Sequence, residues 1–169
     1  YQAYKDTAAK IVIDGDENTE IGSYAFYKFK GMTELEIKTC GNIKDHAFNF
    51  CSKLESVTIG SCGDIGDRAF GSCSALESLE ITGSCGNFGP YVFQNCSKLK
   101  NFEISSCGNF GEDMFAGATA LESVTIKECG DIAQQAFLVM TNLEKVTIKK
   151  CGAIGQYAFG TLFTSTGAE

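Results

Sequence analysis

Short segments of alternating apolar and polar residues recur along the chain at a nearly constant interval. In the segment "LESVTIGS", residues 54–61, Val57 and Ile59 alternate with Ser56 and Thr58, and β-branched side chains are common. Such alternation is typical of a short β-strand with one buried face. No run of ten residues with helical periodicity separates successive segments, so each unit is predicted to hold one strand and no long helix.

The interval of this repeat is 22 residues, with a single step of 23 that we assign to Gly83 in "ITGSCG". About seven copies fill the 169 residues, so residues 1–169 are predicted to form one solenoid, with a short cap at residues 1–10. The two series that keep this rhythm are Phe26, Phe48, Phe70, Phe93, Phe115, Phe137 and Phe159, and Cys40, Cys62, Cys85, Cys107, Cys129 and Cys151.

A strand that returns every 22 residues without a long helix must belong to a coil whose turns stack on one another. The predicted fold is therefore a β-solenoid with one parallel sheet of about seven short strands and loops or short 3-10 turns on the convex side. Adjacent turns would lie about 4.8 Å apart. Equivalent side chains would then form columns, and the phenylalanine and cysteine series are predicted to be core columns.

The repeated unit resembles the leucine-rich repeat. Its pattern L-x-x-L-x-L-x-x-[NC]-x-L is matched by Leu54, Val57, Ile59, Cys62 and Ile65. The portion "IGDRAFGSCSAL" is similar to the BspA-like subclass, found on surface proteins of bacteria and of several protists. The cysteines also resemble those in the repeats of F-box adaptor proteins, although those repeats are longer and helical.

A second column of cysteines is predicted to be core. It contains Cys51, Cys73 and Cys96, and its equivalents in other turns are Phe29, Ala118, Met140 and Leu162, all apolar. The thiols of the first cysteine column are expected to donate weak hydrogen bonds to the neighbouring backbone. The closest cysteines have ten residues between them, which does not fit a zinc site. Nine cysteines leave one thiol over in a complete disulfide framework, yet one or two bridges stay open.

The acidic segment "DGDENTE" is the one candidate for metal binding. Its polar side chains alternate as the beginning of a calcium loop does. Thr19 and Ala25 stand where such a loop needs glycine and glutamate, so calcium is a weak alternative to an acidic surface turn. The candidate ligands are Asp14, Asp16, Asn18 and Glu20.

Two further residues are singled out by their chemistry. His46 is the only histidine, and its column is variable in character, so we expect a solvated side chain and no catalytic role. Asn95 begins the only glycosylation sequon and lies in a column predicted to face outward. No residue is assigned to catalysis or to a cofactor, and no enzyme is predicted.

Composition and charge exclude other classes. The chain is 44% hydrophobic and 21% charged, as in ordinary globular proteins, and no apolar run approaches 18 residues, so membrane insertion is not expected. Its net charge of -7 would repel a phosphate backbone, so nucleic acid is not expected as a partner.

The outward face of the predicted sheet is the candidate surface for binding. Its central column is short and polar and lacks the Trp, Tyr and Arg side chains of strong binding hot spots. The column residues proposed for this surface are Glu36, Thr58, Glu80, Glu103, Thr125 and Thr147.

The sequence therefore predicts a non-enzymatic, extracellular or cell-surface leucine-rich repeat protein with a structural or adhesive role. Because neither end carries a convincing polar cap, the chain is expected either to belong to a longer array or to stack head to tail with copies of itself. Its partner would be a protein, and no cofactor is implied. The alternative is an intracellular scaffold that binds a partner protein, as the F-box resemblance implies.

Overall fold

Residues 9–160 are described by the computed structural model, and they coil so that each turn contributes one strand. The strands pair in parallel in sequence order to form one seven-stranded sheet. They are β1 (Lys10–Asp14), β2 (Glu34–Thr39), β3 (Ser56–Ser61), β4 (Ser78–Ser84), β5 (Asn101–Ser106), β6 (Ser123–Glu128) and β7 (Lys145–Lys150). The predicted solenoid is confirmed. No described residue lies in a helix, and this part of the chain accordingly contains no helix that could cross a membrane.

The strand register follows the repeat. Val57 pairs with Leu79 and Ile59 with Ile81, each 22 residues along the chain. The register between β4 and β5 shifts between Ile81 and Ser84, the segment that contains the inserted Gly83. A Cβ atom at Gly83 would lie 2.1 Å from the carbonyl oxygen of Gly60, so only glycine fits this irregular part of β4.

Stacked aromatic rings form the centre of the core. Consecutive rings of the phenylalanine series have centroids 4.7 to 5.7 Å apart and lie within 21° of parallel. The five internal rings are buried, whereas Phe26 and Phe159, at the two ends, are only partly buried. Each offset-stacked pair adds about 0.5 to 1.5 kcal/mol beyond its burial. The strand residues that point inward, such as Val57 and Ile59, complete this core.

The convex side is built from turns that hydrogen-bond to the next turn. Two columns of residues there have positive φ, a region that side chains other than glycine seldom occupy. In this conformation their N–H groups reach the following turn, as His46 N does to Asp67 O at 2.8 Å and Phe50 N to Gly71 O at 2.9 Å. The two columns are Tyr24, His46, Arg68, Tyr91, Asp113, Gln135 and Tyr157, and Lys28, Phe50, Ser72, Asn95, Gly117 and Val139.

The last described turn leaves part of its core column uncovered. Val146 is 43% exposed and Ile154 is 55% exposed, although their counterparts in β6 and its turn, Val124 and Ile132, are buried. The difference arises because β7 has a neighbouring strand on one side only. Of the cap predicted at residues 1–10, only Ala9 and Lys10 are described, and Lys10 begins β1. Leu162 also lies outside the described residues.

Candidate functional site

The solvent face of the sheet is made of the outward-pointing residues of β1 to β7. The strand register aligns the proposed central column across this face. Glu80 and Glu103 are exposed and the other members are half-buried, while the residues that alternate with them point into the core. These column residues are Glu36, Thr58, Glu80, Glu103, Thr125 and Thr147.

A shallow depression of about 540 Å³ lies on this face where β4 and β5 meet. Half of its lining residues carry short polar side chains, and the carboxylates of Glu80 and Glu103 also belong to the lining. Glu80 forms no ion pair within residues 9–160, and the Glu103 carboxylate lies 3.9 Å from the Lys127 ammonium group. Both partners of that pair are exposed, so it is weak and the depression keeps its negative charge. Its lining residues are Ser78, Leu79, Glu80, Ile81, Thr82, Asn101, Glu103 and Ser105.

The charge of the solvent face changes along the sheet. Near β1 and β2, Lys10 Nζ lies 2.7 Å from Glu34 and 3.1 Å from Glu36, and Lys38 Nζ lies 2.7 Å from Asp14, so both ammonium groups are paired with carboxylates. Toward β7 the face becomes positive. There, Lys145 and Lys149 form no ion pair with any carboxylate of the described chain.

The first cysteine column follows the carboxyl ends of the strands. Cys40, Cys85 and Cys129 are buried, Cys62, Cys107 and Cys151 are half-buried, and no disulfide bond joins any cysteines of residues 9–160. The Sγ atoms of Cys62 and Cys85 lie 3.2 Å apart.

The thiol-to-backbone hydrogen bonds predicted for this first column occur in the second column instead. Cys51 Sγ donates to Phe26 O at 3.2 Å, Cys73 Sγ to Phe48 O at 3.4 Å and Cys96 Sγ to Phe70 O at 3.3 Å. The reason is geometric, because the second column follows the stacked phenylalanines and faces the carbonyl groups of the preceding turn.

Burial keeps thiols of both cysteine columns protonated at neutral pH. It raises the pKa of Cys40 and Cys129 to about 11, and that of Cys96 and Cys107 to about 12. Because the thiolate is the reactive form of cysteine, these residues are poor nucleophiles.

A ladder of Asn and Asp side chains, which the sequence reasoning missed, joins the turns after the cysteines. Each side-chain Oδ1 accepts a hydrogen bond from the backbone N–H one turn later, as Asn87 N to Asp64 Oδ1 at 2.7 Å. The glycine of the next turn that packs against each acceptor oxygen is required, since a Cβ atom at Gly86 would lie 2.3 Å from Asp64 Oδ1. The recurring C-G-[ND] triplet was the available signal. The acceptors are Asn42, Asp64, Asn87, Asn109 and Asp131.

The candidate calcium ligands are not brought together. The Asp14 carboxylate pairs with Lys38, and that of Glu20 with Lys44 at 2.9 Å. Asp16 accepts hydrogen bonds from Asn18 N and Thr19 Oγ1, both at 2.9 Å, and the latter contact lowers its pKa the most. Nowhere in residues 9–160 do three or more His, Cys, Asp or Glu side chains converge in a way that could hold a metal ion.

His46 is not solvated as predicted. Its side chain is 21% exposed because the ring stacks on Tyr24, with centroids 4.8 Å apart, and Nδ1 lies 2.8 Å from Asn49 Nδ2. Asn95 is exposed in the left-handed region at a φ of 58°, and its glycosylation stays a prediction.

A parallel sheet of one strand per 22-residue turn, with an Asn and Asp ladder behind the strands, defines a leucine-rich repeat solenoid. The chain belongs to the BspA type leucine-rich repeat family, whose model matches six copies over residues 19–137. The predicted subclass is thereby confirmed.

Solved structures show the same fold. A leucine-rich cell surface protein from Faecalibacterium prausnitzii A2-165 is 20% identical with a TM-score of 0.61, over 85% of this chain and 48% of that protein. The present chain therefore spans about half the length of that relative. A leucine-rich repeat protein of T. pallidum is 15% identical with a TM-score of 0.57, over 92% of this chain and 85% of its own. Comparison with curated protein sequences finds no match.

Proposed function

We propose that this chain is a non-enzymatic, extracellular or cell-surface adhesive module that binds a partner protein on the solvent face of its sheet. The observation that carries this proposal is the negatively charged depression formed around Glu80 and Glu103 on the solvent face. The surface location is supported by the similar fold of the Faecalibacterium prausnitzii protein, which is described as a cell surface protein.

The surroundings of His46 and of the thiols within residues 9–160 support a binding role. Nucleophilic catalysis needs a thiol or hydroxyl within hydrogen-bond reach of a base. The polar contacts of His46 are Asn49 and Asp67 rather than a thiol, and burial raises the pKa of Cys96 to about 12.

The dimensions and charges of the face indicate the kind of partner. Seven strands at about 4.8 Å spacing and about 20 Å in length present on the order of 600 Å². This area lies near the lower end of specific interfaces, which bury about 800 Å² on each partner. The partner is expected to place a basic group over the Glu80 and Glu103 carboxylates and acidic or hydrogen-bonding groups near Lys145 and Lys149.

Charge reversal on the face tests the proposal. The double variant Glu80→Lys and Glu103→Lys is compared with Glu112→Lys, which reverses an exposed charge on the convex side. We expect a purified extracellular-matrix or cell-surface protein, selected by biolayer interferometry, to lose at least about tenfold in affinity for the double variant, equivalent to roughly 1.4 kcal/mol. The control should bind as the parent does.

Equal loss with both variants would contradict the use of the sheet face. Antibody labelling of intact, unpermeabilised cells of the source organism tests the location. A protein found only inside the cell would favour the alternative of an intracellular scaffold.

Head-to-tail stacking of identical chains is a second candidate, favoured by the uncovered residues at the end turns. Val146 and Ile154 are 43% and 55% exposed at the β7 end. On β1, Ile11 and Ile13 are only partly buried, whereas the β2 residues with which they pair are buried. Both outer strands also have one unpaired edge in the described sheet, which can pair with another strand.

Light scattering across a wide range of concentrations tests this second candidate. We expect reversible growth of the parent protein and a strict monomer for the double variant Val146→Lys and Ile154→Lys. A parent protein that is monomeric at every concentration would exclude stacking.

A further inference from the structure

Two thiols that contact each other belong to the two turns joined by the 23-residue step. The 23-residue step separates Cys62 from Cys85, and the shift of strand register lies immediately before Cys85, between Ile81 and Ser84. Cys62 N donates to Ser84 O at 3.1 Å, and the two Sγ atoms lie 3.2 Å apart.

We propose that Cys62 and Cys85 form a redox modification site, an intramolecular disulfide that joins the third and fourth turns when the protein meets a small-molecule disulfide. The Cys62 thiolate attacks one sulfur of the oxidant and releases the first thiol. Cys85 then attacks the Sγ atom of Cys62 and releases the second thiol. The cysteine pair loses two electrons and two protons, and the oxidant gains both.

Access to the pair comes through Cys62. Cys62 is half-buried whereas Cys85 is only 7% exposed, so the first attack is assigned to Cys62. The Cys62 side chain lines a surface cleft of about 330 Å³ together with Cys40, Glu17 and Glu20. The Glu17 carboxylate, which forms no ion pair within residues 9–160, disfavours an anionic oxidant such as oxidised glutathione. A neutral disulfide is therefore the better probe.

The surroundings of Cys62 set the pH at which the site reacts. Contact with the Cys85 thiol, then burial, raises the pKa of Cys62. Because only the thiolate attacks, the rate of disulfide formation should increase about tenfold for each pH unit between about pH 7 and pH 9.

Peptide mapping of the full folded chain tests the pairing. The probe is bis(2-hydroxyethyl) disulfide, followed by quenching with iodoacetamide and digestion with trypsin. Cleavage at Lys and Arg places Cys40 in residues 39–44, Cys62 in residues 54–68 and Cys85 in residues 69–98. Tandem mass spectrometry separates Cys85 from the two other cysteines of the last peptide.

We expect residues 54–68 to be joined to residues 69–98 through Cys85. The matched control is Cys107→Ser, which removes another half-buried thiol of the same column and should keep the bridge. Cys85→Ser should leave Cys62 as a mixed disulfide with the probe. Should Cys85→Ser fail to fold, the peptide map of the unmodified chain decides.

Three results would overturn the proposal. They are a bridge between Cys40 and Cys62, the absence of any bridge at pH 9, and a rate that does not change with pH. Unfolding the chain in urea before oxidation should abolish the preference for this pair, because the folded register brings the two sulfurs together.

Discussion

Twelve residues other than glycine adopt positive φ in the described chain, and they give the convex side its shape. Each costs about 1 to 2 kcal/mol relative to the ordinary regions when the side chain has no local compensation. The cost is offset because the N–H groups of ten of these residues hydrogen-bond to the next turn, as Val139 N does to Gly160 O at 3.0 Å. A single residue type is not needed in these columns, which is why the sequence shows them only as variable positions.

Val139 is the least suitable of these residues, since a β-branched side chain fits the left-handed region poorly. Replacing it with Asn, the residue at the equivalent position 95, should stabilise the protein by about 0.5 to 1 kcal/mol. Val12→Asn is the control, because Val12 is similarly exposed but lies in an ordinary strand. Urea denaturation of both variants measures the difference. A loss of stability with Val139→Asn would contradict this account of strain.

Phe70 lies in the stacked core, and an exposed phenylalanine on the convex side serves as its control. Phe70→Ala should lower the free energy of unfolding by about 3 to 5 kcal/mol, because it opens a cavity between two neighbouring rings. Phe50→Ala, at a residue that is 45% exposed, should cost less than about 1 kcal/mol. Thermal and chemical denaturation of both variants supply the measurement. Similar small effects would mean that the ring column does not form the core.

At the scale of the structural elements, the Asn and Asp ladder holds the turns together behind the strands. It pairs a side chain on one turn with a backbone N–H on the next, and it requires the glycine column to leave room for Oδ1. The sequence of one turn does not show why these glycines are needed, because the oxygen atoms that occupy the space lie 21 or 22 residues earlier. Ala153 ends the series of side-chain acceptors within the described turns.

Asn87→Ala should show how much one side-chain-to-backbone hydrogen bond of the ladder contributes to stability. The N–H of Asn109 would lose its acceptor at 2.9 Å, at a cost of about 1 kcal/mol. Hydrogen exchange at the Asn109 amide should become faster, while exchange in β2 stays unchanged. The control is Asn101→Ala, which removes a bond to Ser123 on the sheet face and leaves the ladder intact. Unchanged exchange at Asn109 would show that the ladder contributes nothing measurable.

At the scale of the whole molecule, the 22-residue period was sufficient to predict the fold. A period of this length without room for a helix has few physical solutions, and the structure has one strand per turn in sequence order. The composition of the solvent face could also be predicted, since strand alternation assigns residues such as Thr58 and Glu80 to one side.

The depression beside Glu80 could not be predicted, because it depends on how far side chains on two strands extend and on the register shift in β4. The partial burial of His46 could not be predicted for a related reason, since its stacking partner Tyr24 is one turn away. Both features arise between turns rather than within the sequence of one turn.

Every strand contacts only the strands that precede and follow it in the chain. A tandem duplication or an in-frame loss of one unit of the gene would consequently create one new junction between turns and leave every junction outside that unit as it was. The length of this protein is thus free to vary during evolution by increments of one strand, about 4.8 Å each. Variants of different reach could arise from a single recombination event.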